Sequence, residues 1–320
     1  MATKLHIVTG KGGTGKTTVA AAMAMALAGK GNRVLLCEVE GRQGIAQLFD
    51  VAPLPYEERQ VAVGLGGGEV YALAIDAEAA LLEYLQMYYH LGRAGKALDR
   101  FGVIDFATTI APGVRDVLLT GKVYEAARRQ VDGKYAYDAV VVDAPPTGRI
   151  TRFLNVNTEV AGLAKVGPIR HQADSIMQLL RAQTTRVHLV TVLEEMPVQE
   201  TVDAMSQLGA VHLPVGHVIV NLVRPPLLDE STSVALRDGS LTESVVAAAL
   251  KRISLDPAEA GALQAEGVAH LVRQSLQEAQ RGVLTTEAKA PTVELPFLSD
   301  GINLGGLFEL AEVLKASEIL

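Results

Sequence analysis

The chain has 320 residues, 49% of them hydrophobic, which is enough to bury the core of one large α/β domain. Aromatic residues make up only 4% and tryptophan is absent, so that core must be aliphatic and alanine-rich. A net charge of −7 argues against general nucleic-acid binding, and the single cysteine, Cys37, excludes an internal disulfide framework.

In chain order, residues 5–8 (LHIV) read as a buried strand and residues 17–28 as the helix that follows. The apolar stretch 19–28 belongs to that helix and is too short to span a bilayer. Residues 1–4 run straight into the first strand, leaving no room for a signal peptide, so the expected location is the cytoplasm. Further apolar runs at 33–39, 70–75, 187–193, 216–220 and 292–295 read as strands, and the stretch 135–142 ends in another. Residues 52–69, with Pro53, Pro55 and the run 64–68, read as a mobile loop. Asp76 fits the N-cap of a helix over 79–91, and residues 303–317 close the chain as an amphipathic helix. Residues 227–290 mix polar turns with helices and an acidic patch at 256–266. Short strands alternating with helices define an α/β fold, a doubly wound and mostly parallel sheet, with helical insertions at 77–132 and 151–185. The whole chain, 1–320, reads as a single domain.

Between the first strand and its helix stands Gly10-Lys11-Gly12-Gly13-Thr14-Gly15-Lys16-Thr17, followed by Thr18. This fits the phosphate-binding loop pattern G-x-x-x-x-G-K-[ST]. The glycines let backbone N–H groups turn inward around an anion, and the helix start adds its orphan donors and the positive end of its dipole. Lys16 is placed to reach the β and γ phosphates, and the Thr17 hydroxyl to coordinate Mg²⁺. Such a loop works with carboxylates at the carboxyl ends of neighbouring strands. Val140-Val141-Val142-Asp143 ends a buried strand before a Pro/Gly turn, which makes Asp143 the second candidate magnesium residue. Cys37-Glu38-Val39-Glu40 offers two carboxylates after the second strand, read either as part of the site or as a solvated acidic turn. Asn221, after the strand 216–220, fits either an adenine-reading amide or a turn.

Together these residues resemble the arsenite-efflux and tail-anchored-protein-targeting ATPases. That family belongs to the deviant Walker A group, with division-site-positioning ATPases, partition ATPases and nitrogenase iron protein. The signature Gly-Lys-Gly-Gly-x-Gly-Lys-Thr-Thr matches residues 10–18, and Asp-x-Ala-Pro-Thr-Gly-His resembles residues 143–149, with Pro146 and Arg149 as departures. Supporting similarities lie at 75–80, at 111–116 and at 292–302.

The resemblance implies ATP/ADP binding with Mg²⁺, ATP hydrolysis, and a nucleotide-sandwich dimer, either a homodimer or a heterodimer with a paralogous ATPase. It also implies that Lys11 crosses the interface to the partner's phosphates, that Glu40 stands where an aspartate orients the attacking water, and that Pro296 and Phe297 contact the base. Gln43 is a further candidate to share the water-orienting role, on its chemistry alone. The helical insertions would bind a client, a protein with an apolar segment, and Leu81, Leu82, Leu85, Met87 and Tyr88 are candidates to line that surface as well as candidates for ordinary core. The Cys-x-x-Cys zinc pair of eukaryotic members and the arsenite-binding cysteines of efflux ATPases are not in this sequence.

Three other roles stand beside the client-binding switch. One is the energising subunit of an anion or metalloid efflux system, weakened by the missing cysteines. Another is a membrane-positioning or partition-type ATPase, but the last helix carries Glu309, Glu312 and Glu318 against Lys315, the wrong sign for anionic lipid. The third is a phosphoryl-transfer or ligase-type enzyme with a small acceptor, for which no acceptor pocket is legible. Neither nucleic-acid binding nor stable membrane insertion is expected.

Overall fold

A run of apolar residues that ends in glycine, Leu5–Gly10, forms the first strand, β1, and every residue in it is buried. In the computed structural model, which describes residues 4–89, 114–156, 168–317 and 319, β1 lies near the middle of an eight-stranded sheet. The other strands are β2 (Arg33–Glu38), β3 (Arg59–Val63), β4 (Glu69–Ala74), β7 (Ala139–Asp143), β8 (Thr185–Thr191), β9 (Val215–Val223) and β10 (Thr292–Pro296); β5 (Gln130–Val131) and β6 (Lys134–Tyr135) pair apart as a hairpin. The order across the sheet is β10-β9-β8-β1-β7-β2-β4-β3, and every pairing is parallel except β3 with β4. Continuous apolar runs suit a parallel sheet covered on both faces, which is how these strands are used.

One face is covered by α1 (Lys16–Ala28) and the C-terminal helix α11 (Leu304–Ala316), which share a core with Val8, Val34, Leu36 and Val141. Helix α1 is buried along nearly its whole length. Its alanines let the sheet and α11 approach from opposite sides, as an all-apolar helix requires. The opposite face buries Leu5, Ile7, Leu35, Val140 and Val142 against α4 (Val114–Arg128), α5 (Thr147–Leu154), α6 (Pro168–Leu180) and α7 (Glu195–Ala210).

The segment 77–132 contains α3 (Ala77–Tyr89) and α4, and 151–185 contains the end of α5 and all of α6. Asp76 caps α3 by accepting from Ala79 N–H at 2.8 Å. The middle of each insertion, residues 90–113 and 157–167, lies outside the described residues, and so does 111–113 of the supporting similarity. Leu81 and Leu82 are half-buried, while the side chains of Leu85, Met87 and Tyr88 are outside the described set. The region 227–290 folds as α8 (Glu230–Arg237), α9 (Glu243–Arg252) and the 28-residue α10 (Ala260–Glu287). No helix among the described residues is long and apolar enough to cross a membrane.

The stretch 135–142 does end in a strand: Lys134–Tyr135 pairs back on Gln130–Val131, and β7 starts at Ala139. Asp138 separates the two, since its carboxylate accepts from Arg33 N–H and its own N–H donates to Arg33 C=O, each at 2.8 Å. One expectation needs correction: residues 52–69 are not a mobile loop. They contain β3, the antiparallel edge strand, joined to β4 by a turn closed by Gly64 N–H to Gly68 C=O at 2.8 Å. That turn is pressed on the end of α1, where a Cβ on Gly68 would overlap the carbonyl oxygens of Asn32 and Ala28. Here glycine serves close backbone packing, and the punctuation around a five-residue strand hides it.

Gly68→Ala should therefore cost about 3 kcal/mol, seen as a fall in Tm of roughly 6–12 °C. Gly282→Ala in α10, where a Cβ meets nothing within 4 Å, should leave Tm unchanged or raise it.

Candidate nucleotide site

The loop after β1 turns on Gly15, which sits in the left-handed region at φ 85° as the N-cap of α1. A Cβ there would also overlap Asn221 Nδ2, so both backbone and packing demand glycine. Thr14 closes the loop by donating to the Lys11 carbonyl from N–H at 3.3 Å and from Oγ1 at 2.8 Å. Gly12 and Gly13 are exposed. No side chain caps α1, and its first-turn N–H groups can therefore cradle an anion. Lys16 opens the helix and is buried; burial holds its amine below its ordinary pKa, against the opposing pull of Asp143 and Glu40. Thr18 follows in the same turn.

Strand register brings the acidic groups to the same place. Val8 of β1 pairs with Asp143 at the end of β7, and Asp143 in turn pairs with Glu38 at the end of β2. Thr17 Oγ1 donates to Asp143 Oδ2 at 2.7 Å, while Asp143 Oδ1 is buried without a hydrogen-bond partner. Burial pushes the Asp143 carboxyl up to about 6, opposed by the Thr17 hydrogen bond and by Lys16. Glu38 is 1% exposed; its Oε2 accepts from Ile45 N–H at 3.2 Å and its Oε1 has no partner. A hydroxyl, two buried carboxylates and their unpartnered oxygens form a donor set that fits a hard divalent cation. Of the two carboxylates offered after the second strand, Glu38 is the one that β2–β7 pairing sets beside Asp143. Its sequence signal is a buried strand, RVLLCE, that ends in a carboxylate as AVVVD does.

The turn after β7, which the resemblance at 143–149 marks as the family's second-switch turn, is anchored by Ala144 N–H to Val8 C=O at 2.9 Å and Thr9 Oγ1 to Pro145 C=O at 2.6 Å. Beyond it, Arg149 in α5 lies 3.9 Å from Glu40 Oε1 and 3.7 Å from Asp116 Oδ1, and Arg42 lies 3.7 Å from Glu40 Oε2. Gln43 is engaged away from the phosphate-binding loop. Its amide is used at both ends by Leu54, whose N–H it accepts at 2.7 Å and whose carbonyl it bonds at 3.1 Å. Lys11 is paired with Glu200 of α7, a residue that the sequence did not mark.

Asn221, at the end of β9, donates from Nδ2 to the Thr14 carbonyl at 2.9 Å, bracing the loop. It also lines a cavity of about 190 Å³ with Leu222, Val223, Arg224, Gln277 and Phe297. Phe297 is placed there by its N–H bond to Val223 C=O at 2.8 Å, and the Arg224 guanidinium lies 3.7 Å over its ring. Pro296 ends β10 and is not among the lining residues. The cavity therefore opens directly beside the phosphate-binding loop.

A doubly wound sheet with this loop, a buried lysine and strand-end carboxylates defines a P-loop ATPase. The chain belongs to the anion-transporting ATPase family, which matches residues 3–185. It is 51% identical over 314 residues to ATPase BagA of Mycobacterium tuberculosis (strain ATCC 25618 / H37Rv), covering 97% of this chain and 92% of that protein. It is 24% identical over 325 residues to the arsenical pump-driving ATPase of Acidiphilium multivorum, covering 94% of this chain but 53% of the relative.

A carboxyl whose pKa is raised by folding binds its proton more tightly in the native state. The resulting cost to stability is full above pH about 6 and fades as pH falls toward 3.8. Asp143→Asn should accordingly stabilise the protein in EDTA without nucleotide at pH 8 by on the order of 2–3 kcal/mol, seen as a higher Tm. The gain should shrink by pH 4.5. Thermal melts at the two pH values check it.

Proposed function

We propose that this chain is a cytoplasmic, ATP-hydrolysing switch that works as a dimer, with a second copy or a paralogue, and couples its nucleotide state to a protein client bearing an apolar segment. Lys16 and the backbone donors of residues 10–17 hold the phosphates. Thr17 and Asp143 hold Mg²⁺, which when bound neutralises charge on the phosphate oxygens. Glu40 orients the attacking water, Asn221 and Phe297 face the base, and Lys11 reaches the partner's phosphates as an arginine finger does.

The observation that carries this reading is the pair of contacts made by Arg149. It stands between Glu40, on the loop that faces the γ-phosphate, and Asp116, near the start of α4. A carboxylate that moves when the γ-phosphate leaves changes its hold on Arg149, and with it the hold on α4. A second route runs the same way. Gln43 is bound to Leu54, and two residues on, Tyr56 Oη donates to Glu83 of α3 at 2.6 Å. Glu83 in turn accepts from Lys122 of α4 at 2.8 Å. Both routes end on the segments assigned to the client.

Lys16→Ala should lower ATP hydrolysis at least ~10²-fold; equal hydrolysis in the two proteins would sink the reading. Lys11→Ala should leave nucleotide affinity near wild type and lower turnover by on the order of 10² or more. Lost nucleotide binding with unchanged dimerisation would remove the trans role.

The name of the Acidiphilium relative favours a second reading, in which the chain energises an anion pump. A Glu40→Gln chain loaded with ATP separates the two. Under the first reading it retains a protein with an apolar segment and releases it with ADP. No retained protein, together with arsenite-stimulated hydrolysis in wild type, hands the site to the second.

A further inference from the structure

The ammonium of Lys11 is not free in this chain. It is bonded to Glu200 Oε1, although the two residues are 189 positions apart in sequence. Helix α7 follows β8, which pairs with β1 through Gly10 and Val190, so the sheet itself brings Glu200 to the edge of the phosphate-binding loop. The second oxygen of the same carboxylate, Oε2, accepts from Thr147 Oγ1 at 3.0 Å. Thr147 is the first residue of α5, directly after the turn that begins at Asp143. One carboxylate thus ties the loop lysine to the second-switch turn. Lys11 first, and then Thr147, hold the Glu200 carboxyl below the ordinary glutamate range. The pair is open to rearrangement, with side chains 31% and 34% exposed.

We propose that Glu200 is a cis latch on Lys11: it folds the lysine back onto its own subunit and competes with a partner's triphosphate for the same ammonium. In a lone chain Glu200 has no rival. Across a closed dimer the phosphates offer more negative charge, and Lys11 transfers to them while Glu200 keeps Thr147. Glu200 is therefore a positioning residue that sets how readily ATP closes the dimer. The inference rests on the trans role given to Lys11 above.

Glu200→Gln keeps an oxygen acceptor for Thr147 and removes the charge that holds Lys11. With a non-hydrolysable ATP analogue, its dimer Kd should fall about two- to five-fold, the range of a part-exposed ion pair. Turnover at protein concentrations below that Kd should rise by a similar factor, and turnover at saturating protein should not change. Glu200→Asp, which keeps the charge, should stay within about twofold of wild type. In a Lys11→Ala background Glu200→Gln should have no effect on either readout, which a merely structural role would not produce. An unchanged or weakened dimer in Glu200→Gln, with Lys11→Ala impaired as expected, overturns the latch and leaves the trans role standing. The same gain with and without Lys11 also overturns the latch. Wild-type dimerisation and turnover in Lys11→Ala overturn both.

Discussion

Charge at the ends of apolar strands is the constraint on which this structure turns. Lys16, Glu38 and Asp143 are all buried, and they converge where β1, β2 and β7 meet α1. A buried charge costs several kcal/mol unless it is compensated. Here the compensation is incomplete: each carboxylate keeps an oxygen with no hydrogen-bond partner. The sheet accepts this arrangement because it leaves binding energy in reserve for cation and phosphate. Asp143 shows the cost directly, since burial raises its carboxyl pKa despite the Thr17 hydrogen bond and the charge of Lys16.

Around that core of charge, an outer ring of polar contacts reaches over long sequence separations. Arg149 bridges Glu40 and Asp116, Gln43 holds Leu54, Asn221 holds Thr14, and Glu200 holds Lys11 and Thr147. The charged pairs among them are part-exposed and worth little to stability taken singly. Their value is geometric: through Arg149 and Glu200, the segments after β1, β2 and β7 are tied to α4 and α7 on the opposite face from α1. Glu40 and Arg149, both departures from the family pattern, lie 3.9 Å apart.

The contiguous parts of this site were legible in the sequence. The phosphate-binding loop is eight adjacent residues whose backbone does the binding, so its pattern survives without any knowledge of the fold. Asp143 was legible because a buried strand running into a carboxylate is itself a signal. The pairing of Glu38 with Asp143 was not, since it depends on which strands become neighbours. Glu200 was invisible for the same reason: nothing near residue 200 announces that β8 will lie beside β1. The partner of Gln43 was not legible, because the backbone of Leu54 cannot be read from residue types. The edge strand β3 was missed because proline and glycine mark turns in sequence, whereas here the glycines serve close packing against α1. The base-side cavity was half legible: Asn221 and Phe297 were candidates, but Arg224 and Gln277 enter it from β10's neighbour strand end and from α10.

Helix α1 has almost no solvent face, being enclosed between the sheet and α11. It cannot shift without opening the main core, and its unfolding belongs with the global transition rather than with local fluctuation. The loop at 10–17 is therefore rooted in an element that cannot move on its own. Backbone donors at the start of such a helix hold positions set by the main core, so an anion placed there meets a preformed cradle.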